Sequence, residues 1–257
     1  MAIVVDYRKS AQENASGYYS LSKELAKKAE GARKAIAETE AEIAAAQNSL
    51  EAARAKKDAP AMRRRKEWQE KYKWFVTSGG KMVLAGRDAK QNDQLVSKLM
   101  AEDDLFFHAD IQGAPATILV GGKGASGQEK KEAAQFAASH SSAWKVGAAA
   151  VDAYAVGKEQ LSKHSSGGFV GAGGFAIKGE REWFKGTALG LACSQEEGKF
   201  ICLPLVHSKA EGMALQLSPG RMEKGKAAKD IAKMLKCDVD EVLLMLPSGC
   251  FALKKLG

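Results

Sequence analysis

The stretch KWFVTSGGKMVLAGRDAKQNDQLVSKLMAEDDLFFHADIQGAPATILV, residues 73–120, changes its hydrophobic period several times in a short span. Lys73 to Thr77 and Lys81 to Gly86 are apolar-rich runs on either side of Ser78-Gly79-Gly80, the layout of a β-hairpin. Asp88 to Leu99 has a helical pattern, with Asp88 at the N-cap. Leu105 to Asp110 and Ala116 to Val120 return to short strands. Downstream, Gly121 to Gly127 is a glycine-rich loop and Glu129 to Ala150 is expected to be a helix. Ala153 to Val156, Phe169 to Lys178, Ala188 to Ala192, Lys199 to Val206 and Met213 to Leu217 read as strands. Lys224 to Lys236 and Val239 to Leu246 read as helices, and Phe251 to Lys254 as a last strand. Strand runs with a few helices between them predict an α+β fold, a mixed sheet with flanking helices. No period of 20 to 50 residues repeats.

Upstream the texture is different. From Ala11 to Ala53 a small or apolar residue recurs at alternate spacings of four and three: Ala11, Ala15, Tyr18, Ser22, Leu25, Ala29, Ala32, Ile36, Thr39, Ile43, Ala46, Leu50 and Ala53. Such a seam predicts a long helix that packs against a partner, a coiled-coil arm on the order of 70 Å. Ser10 and Glu13 match a capping box at its start. Asp58-Ala59-Pro60 is the expected turn, and a second helix is expected from Ala61 to about Tyr72.

The formal charge of the 257 residues is +8 and is unevenly spread. Between Arg54 and Lys73 nine basic residues face three acidic ones, a net of +6. Arg63, Arg64, Arg65 and Lys66 form its centre, and such a cluster attracts phosphate backbones through counterion release. A solvated helix tip is the other reading. No apolar run is long enough to cross a bilayer, and MAIVVDYRKS is too short and too soon charged for a signal peptide, so a cytoplasmic protein is expected. Four cysteines, Cys193, Cys202, Cys237 and Cys250, show neither CxxC pairing nor a histidine at ligand spacing. They read as small buried hydrophobes, and no metal or cofactor is expected.

Three groups carry candidate chemistry. Gly121-Gly122-Lys123-Gly124 has the look of a GxxG clamp but lacks the pattern of a phosphate-binding P-loop; a plain surface loop is the stronger reading. His108-Ala109-Asp110 puts two polar side chains on one side of a strand, where Asp110 could orient His108 as a base; without a nucleophile motif, a hydrogen-bonded strand end is preferred. Arg87, followed by Asp88, Gln91 and Asn92, stands beside a helix start, either held within the fold or open to an anion. His140 and His164 show no partner and are expected to be exposed or capping, whereas Trp144 is expected in the core.

Several blocks in register resemble a known family. They are Lys73-Trp74-Phe75; Gly86-Arg87-Asp88-Ala89 with Gln91-Asn92; Phe107-His108-Ala109-Asp110 with Gly113-Ala114-Pro115; Ser141-Ser142-Ala143-Trp144-Lys145; Gln160-Leu161-Ser162-Lys163; and Gly174-Phe175-Ala176-Ile177-Lys178-Gly179. Over about residues 73 to 185 they resemble the NFACT-R domain of the NFACT family of ribosome-associated quality control (NEMF, Caliban, RqcH). Asp6-Tyr7-Arg8-Lys9-Ser10 looks like the start of that family's coiled-coil arm, and Leu246-Pro247-Ser248-Gly249 is similar to archaeal members. The resemblance implies an RNA-binding, non-enzymatic module acting on tRNA and an obstructed large ribosomal subunit, its rRNA and proteins. The family's N-terminal domain has no counterpart here. An excised C-terminal half or a naturally separate protein is therefore expected, with a separate N-terminal half as a further partner and no membrane. The expected division is 1–72 arm with basic tip, 73–192 NFACT-R-like domain and 193–257 C-terminal extension. Expected RNA contacts are Arg63, Arg64, Arg65, Lys66, Arg87, Gln91, Asn92, His108, Asp110, Lys123 and Lys163. Two alternatives stand beside this: an enzyme or accessory of tRNA modification using His108 and Asp110, and a scaffold binding ribosomal protein without RNA.

Overall fold

The structure, a computed structural model, describes residues 4–58, 67–165 and 168–256. The chain forms two compact units, Met1–Arg65 and Lys66–Gly257.

The first unit is the helix α1, Ala11–Asp58. The capping box forms as the sequence predicts. Glu13 N donates to Ser10 Oγ at 3.3 Å, while Ser10 N and Ser10 Oγ donate to Glu13 Oε2 at 2.7 and 2.8 Å and hold its carboxyl below the usual range. Asn14 ties the preceding segment down, accepting from Asp6 N and donating to Asp6 O, both at 3.0 Å. The seam side chains Tyr18, Leu25, Ile36 and Ile43 are exposed. The turn at Ala59-Pro60, the start of the second helix at Ala61, and Arg63 to Lys66 lie outside the described residues.

The second unit is α+β. A 3₁₀ turn, Trp68–Lys71, leads into the expected hairpin β1 (Lys73–Val76) and β2 (Met82–Ala85). Helix α2 (Ala89–Gln94) starts on the Asp88 cap and continues into a π-helical turn, Leu95–Leu99. Then come β3 (Leu105–Ala109), β4 (Thr117–Leu119), α3 (Gly127–Ser139), α4 (Ser142–Lys145) and β5 (Ala150–Gly157). Four two-residue strands follow: β6 (Leu161–Ser162), β7 (His164–Ser165), β8 (Gly168–Phe169) and β9 (Ala176–Ile177). The chain ends with β10 (Glu182–Ala188), β11 (Leu191–Glu196), β12 (Lys199–Pro204), β13 (Leu215–Glu223), α5 (Lys224–Leu235), α6 (Val239–Met245) and β14 (Cys250–Lys255).

Two antiparallel sheets result. The larger has the order β1-β2-β4-β3-β5-β10 and the smaller β12-β11-β13-β14. In β3 the alternation of side chains sorts the core. Leu105 and Phe107 point into the main core with α3, Phe75 and Phe136; Phe106 points to the other face with Leu84, Ile118, Tyr154 and Val156. The main core runs on into the smaller sheet through Leu191 and Leu217, and onto α5 through Ile231. Burial of each such side chain contributes about 1.5–3 kcal/mol. Trp144 is core, as expected, with Nε1 donating to Cys250 O at 3.0 Å.

Three expectations are corrected. The helix expected over Glu129 to Ala150 ends at Ser139, because Ser141 Oγ accepts from Ala143 N and starts α4 instead. Phe169 to Lys178 is not one strand; Gly171 to Gly174 breaks it, with Gly173 at φ +77°. Strand β10 lies where no strand was expected, and a bulge between Phe184 and Thr187 disturbs its pairing.

Candidate nucleic-acid interface

The face of the large sheet away from α3 carries an aromatic row. His108 on β3 lies opposite Tyr154 on β5, and Tyr154 opposite Trp183 on β10. Side chains directly opposite across antiparallel strands share a face. Their ring centroids are 5.9 Å and 5.4 Å apart. Phe106, two residues before His108, stacks beside its ring at 6.1 Å, and Phe175 meets Phe106 edge-on at 5.9 Å. Cations sit over the outer end of the row. The Arg181 guanidinium is 4.5 Å from the centre of Tyr154, and Lys185 Nζ is 4.0 Å from that of Trp183. Trp183 is 39% exposed, on the edge strand. Tyr154 and Phe106 are buried and His108 and Phe175 half-buried, so Trp183 is the exposed ring of the row, able with the cations beside it to stack a base and hold phosphate.

A cleft of about 580 Å³ opens at the inner end of this row. Phe106, His108 and Tyr154 line one side, Val170 to Phe175 contribute the other, and Lys73, Arg87 and His140 complete the lining. The 170–175 segment is fastened to α2. Lys163 Nζ donates to the Asp93 carboxylate and, at 2.7 Å, to Gly174 O, while Gly173 N donates to Asp93 Oδ2 at 3.1 Å. The Lys163 bond is the main reason the Asp93 carboxyl titrates below its usual range. Gly173 must be glycine on two grounds. Its φ is positive, and a Cβ there would lie 2.6 Å from Ala89 Cα.

The structure brings some expected residues together and separates others. Arg87, Asn92 and His108 all line the cleft. Arg87 Nη2 donates to the carbonyls of Glu70 and Tyr72 at 2.9 and 3.0 Å. Gln91 braces that corner, accepting from Arg87 N at 3.1 Å and donating to Lys71 O at 3.2 Å. Asn92 Oδ1 accepts from Ala116 N at 3.2 Å. His108 is lowered below its ordinary pKa, chiefly by burial; backbone groups of Ala114 and Ala109 and the Asp110 charge offset this in part. Its ring is therefore neutral near pH 7. Asp110 is exposed at the strand end, its N–H donating to Asp152 O at 2.7 Å. Lys123 does not line the cleft and pairs with Glu159 at 3.3 Å. Lys163 is engaged by Asp93, as above. Arg63, Arg64, Arg65 and Lys66 lie outside the described residues.

Several residues of this face escape a sequence reading. Tyr154 and Trp183 join His108 only through register, and Arg181 precedes an unexpected strand. His140 was expected exposed or capping; it caps α3 but is buried, 4.4 Å from the Phe136 ring, with Nδ1 3.0 Å from Lys73 Nζ. The break at Ser141 turns it inward. Among the described residues no group of three or more His, Cys, Asp or Glu could hold a metal, and no helix is long and apolar enough to cross a membrane.

A family model described as the NFACT protein RNA binding domain matches residues 71–179. The archaeal Rqc2 homolog aRqcH of Methanocaldococcus jannaschii is 38% identical over 205 residues, covering 76% of this chain and 30% of that protein. The ribosome quality control complex subunit NEMF homolog of Drosophila melanogaster is 31% identical over 197 residues, 74% of this chain and 19% of that one. Ribosome quality control complex subunit 2 of Schizosaccharomyces pombe is 29% identical over 198 residues, with coverage of 74% and 19%. The chain thus spans less than a third of the length of each of these relatives.

Proposed function

The chain belongs to the NFACT family, and from that premise we propose that it binds RNA in ribosome quality control, holding tRNA or an obstructed large ribosomal subunit. The observation that carries this reading is the row His108–Tyr154–Trp183 with Arg181 and Lys185 over its rings, opening into a cleft lined mostly by the matched segment. Bases stack on the exposed part of the row, and Arg87 and the lysines at its margins take phosphate. The basic segment Arg63 to Lys66 adds electrostatic grip, and Lys123 a more distant contact. In this reading residues 1–72 serve as the arm, 73–192 as the RNA-binding domain and 193–257 as its extension. The chain acts by binding rather than by catalysis, in the cytoplasm, with an N-terminal NFACT half as a further partner.

Fluorescence anisotropy of labelled tRNA with the full chain tests this. If about four phosphates are neutralised, affinity falls roughly 50- to 150-fold between 50 and 200 mM salt. Replacing Arg63, Arg64 and Arg65 with glutamine flattens that slope. Affinity that ignores salt, or no tRNA binding at low salt, refutes the reading.

A further inference from the structure

The cleft contains a cluster of cations that the aromatic row does not need. Lys73 begins β1, Arg87 follows β2, His140 ends α3 and Lys224 begins α5. Lys73 is 9% exposed and His140 6%. Lys73 Nζ lies 3.0 Å from His140 Nδ1. With the ammonium donating to Nδ1, the hydrogen-bond pattern puts the imidazole proton on Nε2. That Nε2 is buried without a partner, and so is Arg87 Nε. Lys224 Nζ donates to Leu246 O at 3.0 Å. Three of these side chains, Lys73, Arg87 and His140, line the same cleft.

Buried polar groups are nearly always satisfied, so two orphaned N–H donors on side chains that line one cavity point to an acceptor absent from the structure. The charges that act on Lys73 are the positive ones of Lys224 and Arg87, with a smaller opposing influence from the Cys202 thiol; burial comes first, and together they lower Lys73 to about 7. Lys224 is lowered by burial and by Arg87 in turn, and His140 well below its usual value by burial and by both lysines. A cluster that repels itself this way is complementary to an anion with several acceptor oxygens. The one carboxylate lining the cleft, that of Asp88, is engaged with Gln91 N at 2.8 Å. The volume of about 580 Å³ suits a nucleotide-sized group.

We propose that this cleft is a phosphate-binding site, in which Lys73, Arg87 and His140 hold the phosphate oxygens of an RNA nucleotide or of a free phosphate compound. The RNA-binding reading is used here only to name one of the two sources. The phosphate charge holds Lys73 protonated.

Isothermal titration of the full chain with inorganic phosphate and with adenosine 5′-monophosphate tests the site, beside RNA binding on the same sample. Saturable binding at millimolar concentration or tighter is expected. At pH 8 binding takes up close to one proton, seen as a dependence of the heat on the buffer, because free Lys73 is mostly neutral there and bound Lys73 charged. Affinity then falls about tenfold from pH 8 to pH 9, where the phosphate no longer titrates. Lys73→Met abolishes binding and proton uptake, and Arg87→Lys weakens binding, in both cases with the circular dichroism spectrum retained. Phosphate competing with RNA identifies the polymer as the source; phosphate binding without competition identifies a free compound. No binding of either small molecule while RNA still binds overturns the site and leaves the RNA reading intact. Binding that survives Lys73→Met without proton uptake overturns it equally.

Discussion

Lys73→Met is expected to make the protein more stable near neutral pH. In the folded chain the Lys73 ammonium is lowered from 10.5 to about 7. A gap of that size corresponds to at most about 5 kcal/mol of folding free energy lost at or below pH 7. Methionine has similar length and no charge, so the penalty goes. Against this, His140 Nδ1 loses its partner, which costs about 1–3 kcal/mol for a buried acceptor. The net expectation is a gain of about 2 kcal/mol, or roughly 4–8 °C in Tm for a unit of this size. Between pH 7 and 10.5 the unfolded wild-type chain holds the Lys73 proton and the folded chain does not, so wild-type stability rises with pH in that window. The advantage of the variant is therefore full below pH 7 and shrinks steadily above it. Urea denaturation of both proteins at pH 6.5, 8 and 9.5 measures this. A variant less stable at pH 6.5, or a difference that does not change with pH, refutes the claim that a buried ammonium sits at the cleft.

Gly86→Ala is expected to cost about 1–3 kcal/mol, read from the urea midpoint, because its Cβ would fall 2.1 Å from Asn92 Oδ1 and displace the side chain that holds Ala116 N. Trp183→Ala is expected to weaken RNA binding by about 1–3 kcal/mol in anisotropy with the circular dichroism spectrum retained, although the urea midpoint falls because the ring packs on Tyr154; unaltered affinity removes Trp183 from the interface. Cys193 and Cys202 are buried side by side, and burial together with Cys202 pushes the Cys193 thiol well above its usual pKa. In native labelling with iodoacetamide both should lag behind Cys237 and Cys250, and rapid modification of Cys193 in folded protein contradicts the packing.

Much of this fold is legible in local sequence because local forces set it. Ser10 with Glu13 caps α1, Asp88 caps α2, and Ser78-Gly79-Gly80 closes the first hairpin. The helix expected over Lys224 to Lys236 forms as α5, with Ala227, Ala228, Ile231 and Ala232 buried. What failed depended on tertiary partners. Glu182 to Ala188 has neither clean alternation nor β-branched density, and it is a strand because β5 supplies its hydrogen bonds. Ser141 outcompetes the helical pattern of Glu129 to Ala150 by capping a new turn. The candidate site was legible in part. Arg87, Asn92 and His108 were named from motif and spacing, and all three reach the cleft. Lys73 falls within the basic run Arg54 to Lys73, and no one-dimensional pattern separates a buried ammonium from a solvated one. Tyr154 and Trp183 carry no local signature at all; cross-strand register alone puts them beside His108.

Ultraviolet crosslinking of the full chain to tRNA, with the modified peptides mapped by mass spectrometry, tests RNA binding at the proposed face most directly. Crosslinks at His108, Tyr154, Phe175 or Trp183, reduced by high salt, are the expected result. Crosslinks confined to residues outside 71–185, or none, would contradict the assignment of that face to RNA.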